Sequence, residues 1–370
     1  MHHCINVGVD LHDRTMVLRW AVDRHEPQAG TFDNDPKGRK RMIEAFRHMR
    51  STLSHARVLF AYEASSEGFG LYDYLWEAGF ECAVLAPTKM TRSVQERKVK
   101  DDGRDALRIL NLLRAHVLAG CGLPSVWVPD QRTRDDRELV RARLDLSDKL
   151  SVLKNQVRTL LKRNQLRAPR GIGGAWTKAY RAWLRGLDGK VSPLGPGARA
   201  ALRTLLVQME TVEGQIKELD GAMVDLSEKE RHAEPARQLV KLKGVGLLTA
   251  MVFLTELGEM ARFGNRRQIG SYLGLVPSRF DSGQATGRTG HITRHGPSRV
   301  RRVLCQATWS RVRTDGPERD VYKRICEKNP KRKKKGIVAI MRRLAVRMWH
   351  VAHEAQGRKH CHADPALAAV

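Results

Sequence analysis

Negative charge is what this chain is short of: 40 Asp and Glu face 67 Lys and Arg over 370 residues, a formal net charge of +27. With a pI near 10.4, the cation surplus far exceeds what solubility requires and points to a polyanion as partner. No apolar stretch approaches the roughly 20 residues of a bilayer-spanning helix, and the N-terminus lacks the basic-then-apolar order of a secretory signal. The expectation is a cytoplasmic protein with no membrane segment. Cysteine pairing is missing too. Cys4, Cys82, Cys121, Cys305, Cys326 and Cys361 are scattered without a C-x-x-C pair, which argues against a disulfide framework or a zinc ribbon and for reduced thiols. His350, His353, His360, Cys361 and His362 form one alternative metal grouping, but tail histidines, like those of the N-terminal MHHC, are more often solvated than ligated.

With 41% hydrophobic residues the chain can bury cores, and its length suggests two or three domains. Residues 1–125 alternate short apolar strands with helical stretches at Pro36 to His48, Leu71 to Ala78 and Asp105 to Leu118, the pattern of an α/β layer. From Arg132 the composition turns to charged helix. Leu139, Leu146, Leu153 and Leu160 recur every seven residues with Leu150 and Val157 between them, a coiled-coil seam. A Gly/Pro-rich break from Pro169 to Gly197, holding Trp176 and Trp183, precedes a second seam of Leu205, Met209, Val212, Ile216, Leu219, Met223 and Leu226. The seams pair either within one chain or between chains; a subunit contact is the preferred expectation. The expected division is 1–125, 126–232, 233–325 and a basic helical tail at 326–370, giving an α/β plus α fold.

Against this cationic background four acids stand out. Asp10 ends the apolar run of INVGVDLH, and a second β-rich run follows from Met16 to Val22, which predicts a strand with Asp10 at its accessible edge and a hairpin behind it. Arg57 to Tyr62 is another short apolar run ending in an acid, Glu63. Asp102 and Asp105, three apart in KDDGRDALRIL, lie where helical periodicity begins at Ala106, Ile109, Leu110 and Leu113, so both carboxylates share one side of a first helical turn. Asp101 competes with Asp102, and only the spacing to Asp105 favours the latter. Carboxylates are hard oxygen ligands, and two Mg²⁺ ions about 4 Å apart clamp the attacking and leaving oxygens of a phosphodiester. Any one of these acids is equally a solvated strand end or a helix cap. As a set they point to an RNase H-like, RuvC-type site.

From about Ala233 the chain is Gly-punctuated and basic. LKGVGLLTA, Leu242 to Ala250, resembles the turn of a helix-hairpin-helix, in which Gly244 and Gly246 let backbone N–H groups approach a phosphate; an ordinary helix–turn–helix with a Gly turn fits equally. Between Ser271 and Leu304, small residues separate Arg279, Arg288, Arg294, Arg299, Arg301 and Arg302, which suits a segment closing on nucleic-acid phosphates, or a solvated basic loop. The basic run Lys331 to Lys335 precedes a last helix, Ile337 to His353, and carries no specificity.

Together these residues resemble a known family, the DEDD transposases of insertion-sequence family one-ten, relatives of the Piv invertase described as bridge-RNA-guided DNA recombinases. VGVDLH, YEAS and KDDGRDA carry the N-terminal part of the resemblance. LKGVGLLTAMVFLTELGEMARF, SYLGLVPS, DSG and GHITRHGPSRVRRVL carry the C-terminal part, in the family's order around a coiled coil. Pro169 to Gly197 matches nothing in that pattern. The resemblance implies a RuvC-like α/β domain holding Mg²⁺ or Mn²⁺ through Asp10, Glu63, Asp102 and Asp105, then coiled-coil helices and a mainly helical transposase domain. It also implies a nucleophilic serine before a glycine, here Ser282 with Ser278 as fallback, and a covalent phosphoserine bond that conserves the phosphodiester energy. Homodimers and homotetramers are implied, as is a noncoding bridge RNA that pairs with element-end and target DNA in a bacterial, nucleoid-associated setting. Two other readings compete: a hydrolytic, metal-dependent structure-specific DNA nuclease of the Holliday-junction resolvase type, and a noncatalytic basic architectural protein.

Overall fold

The computed structural model describes residues 3–90, 102–189, 191–282, 285–327 and 329–362. The chain divides into two compact units, residues 1–129 and 130–370.

In the first unit, β1 (Cys4–Leu11) and β2 (Thr15–Val22) form the expected hairpin, and β3 (Gln28–Asp33), which the sequence pattern does not mark, extends it to an antiparallel meander. After α1 (Pro36–Thr52), β4 (Arg57–Glu63) returns parallel to β1; α2 (Gly70–Glu77) then leads to β5 (Glu81–Leu85), parallel to β4, so the sheet order is β3-β2-β1-β4-β5. Helix α1 starts cleanly because the Asp35 carboxylate accepts from the Gly38 N–H and Pro36 occupies the first turn. One sheet face buries Ile5, Val7, Val9 and Phe60 against Met42 and Phe46 of α1 and Leu71 and Leu75 of α2. The other face packs Leu59, Ala61 and Leu85 on Ile109 and Leu113 of α3 (Asp102–Ala119). Helix α3 presses directly on β1: a Cβ at Gly8 would lie 2.3 Å from the Ala106 carbonyl oxygen and 2.5 Å from the Leu110 nitrogen. Only glycine admits the helix backbone so close.

The second unit is mostly helical. Its two longest helices, α4 (Gln131–Arg163) and α6 (Pro196–Glu228), flank α5 (Lys178–Gly186) and run antiparallel. Val140 and Leu144 near the start of α4 share a core with Met223 and Leu226 at the end of α6. Leu153, Val157 and Leu160 toward the end of α4 meet Leu202 and Met209. Arg143 Nε reaches Asp220 Oδ1 at 2.6 Å across the pair. The two seams therefore pair within one chain, which corrects the preferred expectation of a subunit contact; a heptad buries the same face whichever chain supplies its partner. Pro169 to Gly197 is the reversal, capped by buried Tyr180, Leu184, Leu187 and Leu194. The register also shifts. Leu139 and Leu146 are half-buried while Val140 and Leu144 are buried, because the start of α4 packs on α8 (Leu247–Leu257) as well as on α6.

Around α8 lie α7 (Glu230–Val240), α9 (Arg266–Tyr272), the hairpin β6 (Pro277–Ser282) and β7 (Ala285–Ile292), α10 (Ser298–Arg313), α11 (Pro317–Glu327) and α12 (Lys333–His362). One core running from Val140 to Ala352 joins stretches that the sequence divides at 232/233 and 325/326. Among the described residues no helix is long and apolar enough to cross a membrane.

Candidate functional site

Strands β1 and β4 are parallel with Val9 opposite Tyr62, so Asp10 and Glu63 lie one step further along adjacent strands, at their carboxyl ends. In open α/β sheets that edge is where ligands are bound. Helix α3 begins beside it, and Arg19 of β2 ties its first turn down, Nε donating to the Gly103 carbonyl at 3.4 Å. The approach of α3 over Gly8 carries Asp102 and Asp105 to Asp10. His12, two residues beyond Asp10, places Nε2 3.0 Å from Asp10 Oδ2 and 3.4 Å from Asp102 Oδ1. Partial burial pushes the Asp10 carboxyl above its usual range; the charges of Asp102 and Asp105 push the same way, and His12 pulls against them.

Glu63 and Asp105 belong to a second group organised by Arg108. Its Nη2 lies 3.1 Å from Glu63 Oε2 and 3.4 Å from Asp105 Oδ1. Arg108 Nε is buried with no hydrogen-bond partner among the described residues. The four acids thus gather at one sheet edge in two subsets, Asp10 and Asp102 about an imidazole, Glu63 and Asp105 about a guanidinium. Donor atoms of Asp10, His12 and Asp102 all lie within 4.8 Å of one another. Two carboxylates and an imidazole within that distance suit a divalent cation, so the residues fit such an ion. Neither His12 nor Arg108 was singled out by spacing. His12 stands in the VGVDLH motif, and Arg108 falls three residues after Asp105 on the same helix face. Asp101 lies outside the described residues.

In the second unit the sequence candidates scatter over several tasks. Gly244, with φ of +78°, packs against α10, where an added Cβ would meet the Ala307 carbonyl oxygen at 2.8 Å. Arg311 Nη1 donates to the Lys243 carbonyl in the same turn. Gly246 stands open at the start of α8. Arg301 Nη1 donates to the carbonyls of Leu273, His295 and Gly296, which binds the loop before α10 to the end of α9. Arg299 and Arg302 pair with Asp145 and Asp148 of α4. Arg294 is exposed. Ser282 ends β6 opposite Ala285, and Ser278 donates its hydroxyl to the His291 carbonyl at 3.0 Å. The side chains of Ser282, Arg279, Arg288, His360, Cys361 and His362 lie outside the described residues. His350 and His353 lie against the Trp349 ring, centroids 4.6 and 5.8 Å away.

The first unit is thus an α/β domain with a carboxylate site at its sheet edge, followed by a helical unit; two family comparisons give that class its identity. A transposase model of the DEDD IS110 type matches residues 7–164, and the Transposase IS116/IS110/IS902 family matches residues 236–323. The chain belongs to the IS110 family of DEDD transposases. It is 35% identical over 263 residues to the putative transposase y4qE of Sinorhizobium fredii, an alignment covering 70% of this chain and 60% of the relative. The transposase for insertion sequence element IS1533 of Leptospira borgpetersenii is 24% identical over 84% of this chain and 86% of its own length. The putative transposase y4rJ of Sinorhizobium fredii is 29% identical over 78% and 75% respectively.

Proposed function

We propose that the protein is an insertion-sequence transposase that cuts and rejoins DNA strands through the Asp10, Glu63, Asp102 and Asp105 edge and a serine nucleophile, Ser282. The observation that carries this reading is the gathering of these four acids, with Asp10 raised, at the carboxyl ends of parallel β1 and β4. A mixed sheet with its acids on two inner strands and on the covering helix supports a RuvC-like domain. Asp10, His12 and Asp102 would hold a divalent ion, Mg²⁺ or Mn²⁺. A bound divalent ion supplies Lewis acidity and neutralises phosphate charge.

Ser278 spends its hydroxyl hydrogen on a backbone carbonyl, which supports Ser282 over this fallback. In the proposed step the Ser282 Oγ–P bond forms as the P–O bond to the departing strand breaks. The hydroxyl proton ends on the departing oxygen, and the phosphoserine ester retains the energy for rejoining. Selection of element-end and target DNA by a noncoding bridge RNA belongs to the same reading; the family resemblance and the net charge of +27 support it.

Homodimers and homotetramers belong to it as well. Their support is an apolar groove of about 630 Å³ on the α4–α6 hairpin, where Val152 and Val207 are 55% and 56% exposed. A second copy of this chain is the proposed occupant. Light scattering of Val152→Asp/Val207→Asp is expected to show a smaller species than wild type.

Covalent trapping tests the chemistry. Full-length protein is incubated with Mg²⁺, element-end DNA and RNA transcribed from the flanking noncoding region, then run on a denaturing gel. A protein–DNA adduct in wild type that is absent from Ser282→Ala supports the reading. Cleavage by both without an adduct overturns the serine step in favour of a hydrolytic nuclease, and DNA binding without any metal-dependent cleavage leaves an architectural protein.

A further inference from the structure

Several arginines of this chain are neutralised where they stand. Arg57 pairs with Glu81, Arg143 with Asp220, Arg181 with Glu213, Arg185 with Glu210 and Arg203 with Asp188. The Arg299 and Arg302 expected to face phosphate are spent on Asp145 and Asp148. One place in the second unit gathers arginines that lack such partners. A cavity of about 740 Å³ between α9 and α12 is lined by Arg266, Arg267, Arg342, Arg343, Arg347 and His350, with a single acid, Glu318. Glu318 is already engaged by Arg311, and the Arg347 charge acts on it at longer range. None of the five lining arginines makes an ion pair or hydrogen bond with a carboxylate among the described residues.

The sequence explains how the groove arises. On α12, Ile340, Met341, Leu344, Ala345, Met348 and Trp349 are buried, so Arg342, Arg343, Arg347 and His350 fall together on the remaining face at helical spacing. Opposite them, Gly270 leaves room for Arg342: a Cβ there would stand 3.0 Å from its Nε. The cationic face continues to the exposed Lys333, Lys334 and Lys335 in the first turn of α12, where the helix dipole disfavours positive charge. From Lys335 to His350 the strip measures about 22 Å along the helix axis. Five guanidinium groups that share one acid within a groove repel one another, and a polyanion relieves that repulsion. Apart from His350 the lining offers no ring for base stacking, so the chemistry is that of an uninterrupted phosphate backbone rather than of splayed bases.

We propose that this groove is a docking surface for the phosphate backbone of duplex DNA, separate from the carboxylate edge and from the Ser271 to Leu304 segment. It rests on the reading of the protein as a nucleic-acid enzyme and adds where the second unit grips the duplex.

Fluorescence anisotropy of the full chain on a labelled duplex of unrelated sequence, over a series of salt concentrations, tests it. Arg342→Gln/Arg343→Gln/Arg347→Gln is expected to bind about 10- to 100-fold more weakly than wild type, with a log–log salt slope shallower by roughly 3. Arg57→Gln/Arg185→Gln/Arg203→Gln removes the same charge from paired positions and is expected to change affinity by less than about threefold. The exposed pair Arg266→Gln/Arg267→Gln probes the opposite wall without touching the core and is expected to weaken binding in the same direction. Equal weakening by the groove triple and the paired triple overturns the proposal in favour of diffuse charge. Loss of duplex RNA or single-strand binding with duplex DNA unaffected overturns it in favour of an RNA site. Cleavage assayed at saturating protein reports separately on the carboxylate edge. Absent cleavage with groove-dependent binding defeats the transposase chemistry alone, and persistent cleavage with groove-independent binding defeats the groove alone.

Discussion

Arg108 Nη2 stands 3.1 Å from Glu63 Oε2 and 3.4 Å from Asp105 Oδ1, so one guanidinium joins the second central strand to the covering helix. The side chain is 12% exposed, and its charge sits where a cation held by those two carboxylates would otherwise be needed. Arg108→Ala removes the guanidinium that Glu63 and Asp105 share, which is expected to cost roughly 1–3 kcal/mol in metal-free protein. The same change is expected to enlarge the rise in melting temperature produced by Mn²⁺. Calorimetry of wild type and variant, with and without Mn²⁺, measures both. An identical Mn²⁺ response in the two proteins rules out any competition between Arg108 and the ion.

Asp10 carries the opposite cost. Its folded pKa is raised, by burial first and by Asp102 and Asp105 next, so the ionised carboxylate is disfavoured in the fold. Stability from this group is fullest below its unfolded pKa, near about 4, and is lost as pH rises through the folded pKa. At neutral pH without metal, Asp10→Asn is therefore expected to melt a few degrees higher than wild type while losing most of the stabilisation by Mg²⁺ or Mn²⁺. A variant that melts lower in the absence of metal speaks against a site built at the expense of stability.

Gly8 sets the spacing on which both groups depend. A methyl group there would overlap the Ala106 carbonyl oxygen and the Leu110 nitrogen, at 2.3 and 2.5 Å. Gly8→Ala is expected to lift α3 and to destabilise the first unit by about 2 kcal/mol or more. Mn²⁺ binding, followed by titration calorimetry, should weaken at least tenfold, because Asp102 moves with the helix. Unchanged Mn²⁺ affinity in a folded Gly8→Ala protein shows that the helix position does not govern the site.

The acids were legible because each borders a segment of unambiguous character: apolar runs into Asp10 and Glu63, helical spacing out of Asp105. His12 and Arg108 were not, since a histidine after a strand and an arginine on a helix are ordinary until the neighbouring strand and helix are superposed. The seams at Leu153 to Leu160 and Leu205 to Leu226 announced a helix pair but not its chain of origin; that depended on the capping contacts of Tyr180 and Leu184, in a stretch without periodicity. Arg299 and Arg302 looked free for phosphate because Asp145 and Asp148 precede them by 154 residues. Conversely, the arginine groove was hidden: Arg266 and Arg267 are distant in sequence from the α12 residues they face.

Asp136 shows how the helical unit is secured. It is 4% exposed and accepts from His232 Nε2 at 2.6 Å and from Arg231, tying α4 to α7 beside the Arg137 bonds to the Thr255 and Glu256 carbonyls. Burial alone would raise its pKa; the hydrogen bonds from His232 and Arg231 outweigh it and hold the carboxyl below its usual range. A depressed folded pKa contributes stability that is present above the unfolded value and lost as pH falls through the folded one. Urea unfolding of the second unit is therefore expected to need progressively less denaturant below about pH 4. Asp136→Asn, which takes the carboxylate from buried His232 and half-buried Arg231, is expected to cost roughly 1–3 kcal/mol at neutral pH and to flatten that acid limb. An acid limb that keeps its full slope in Asp136→Asn assigns the pH dependence to other carboxylates.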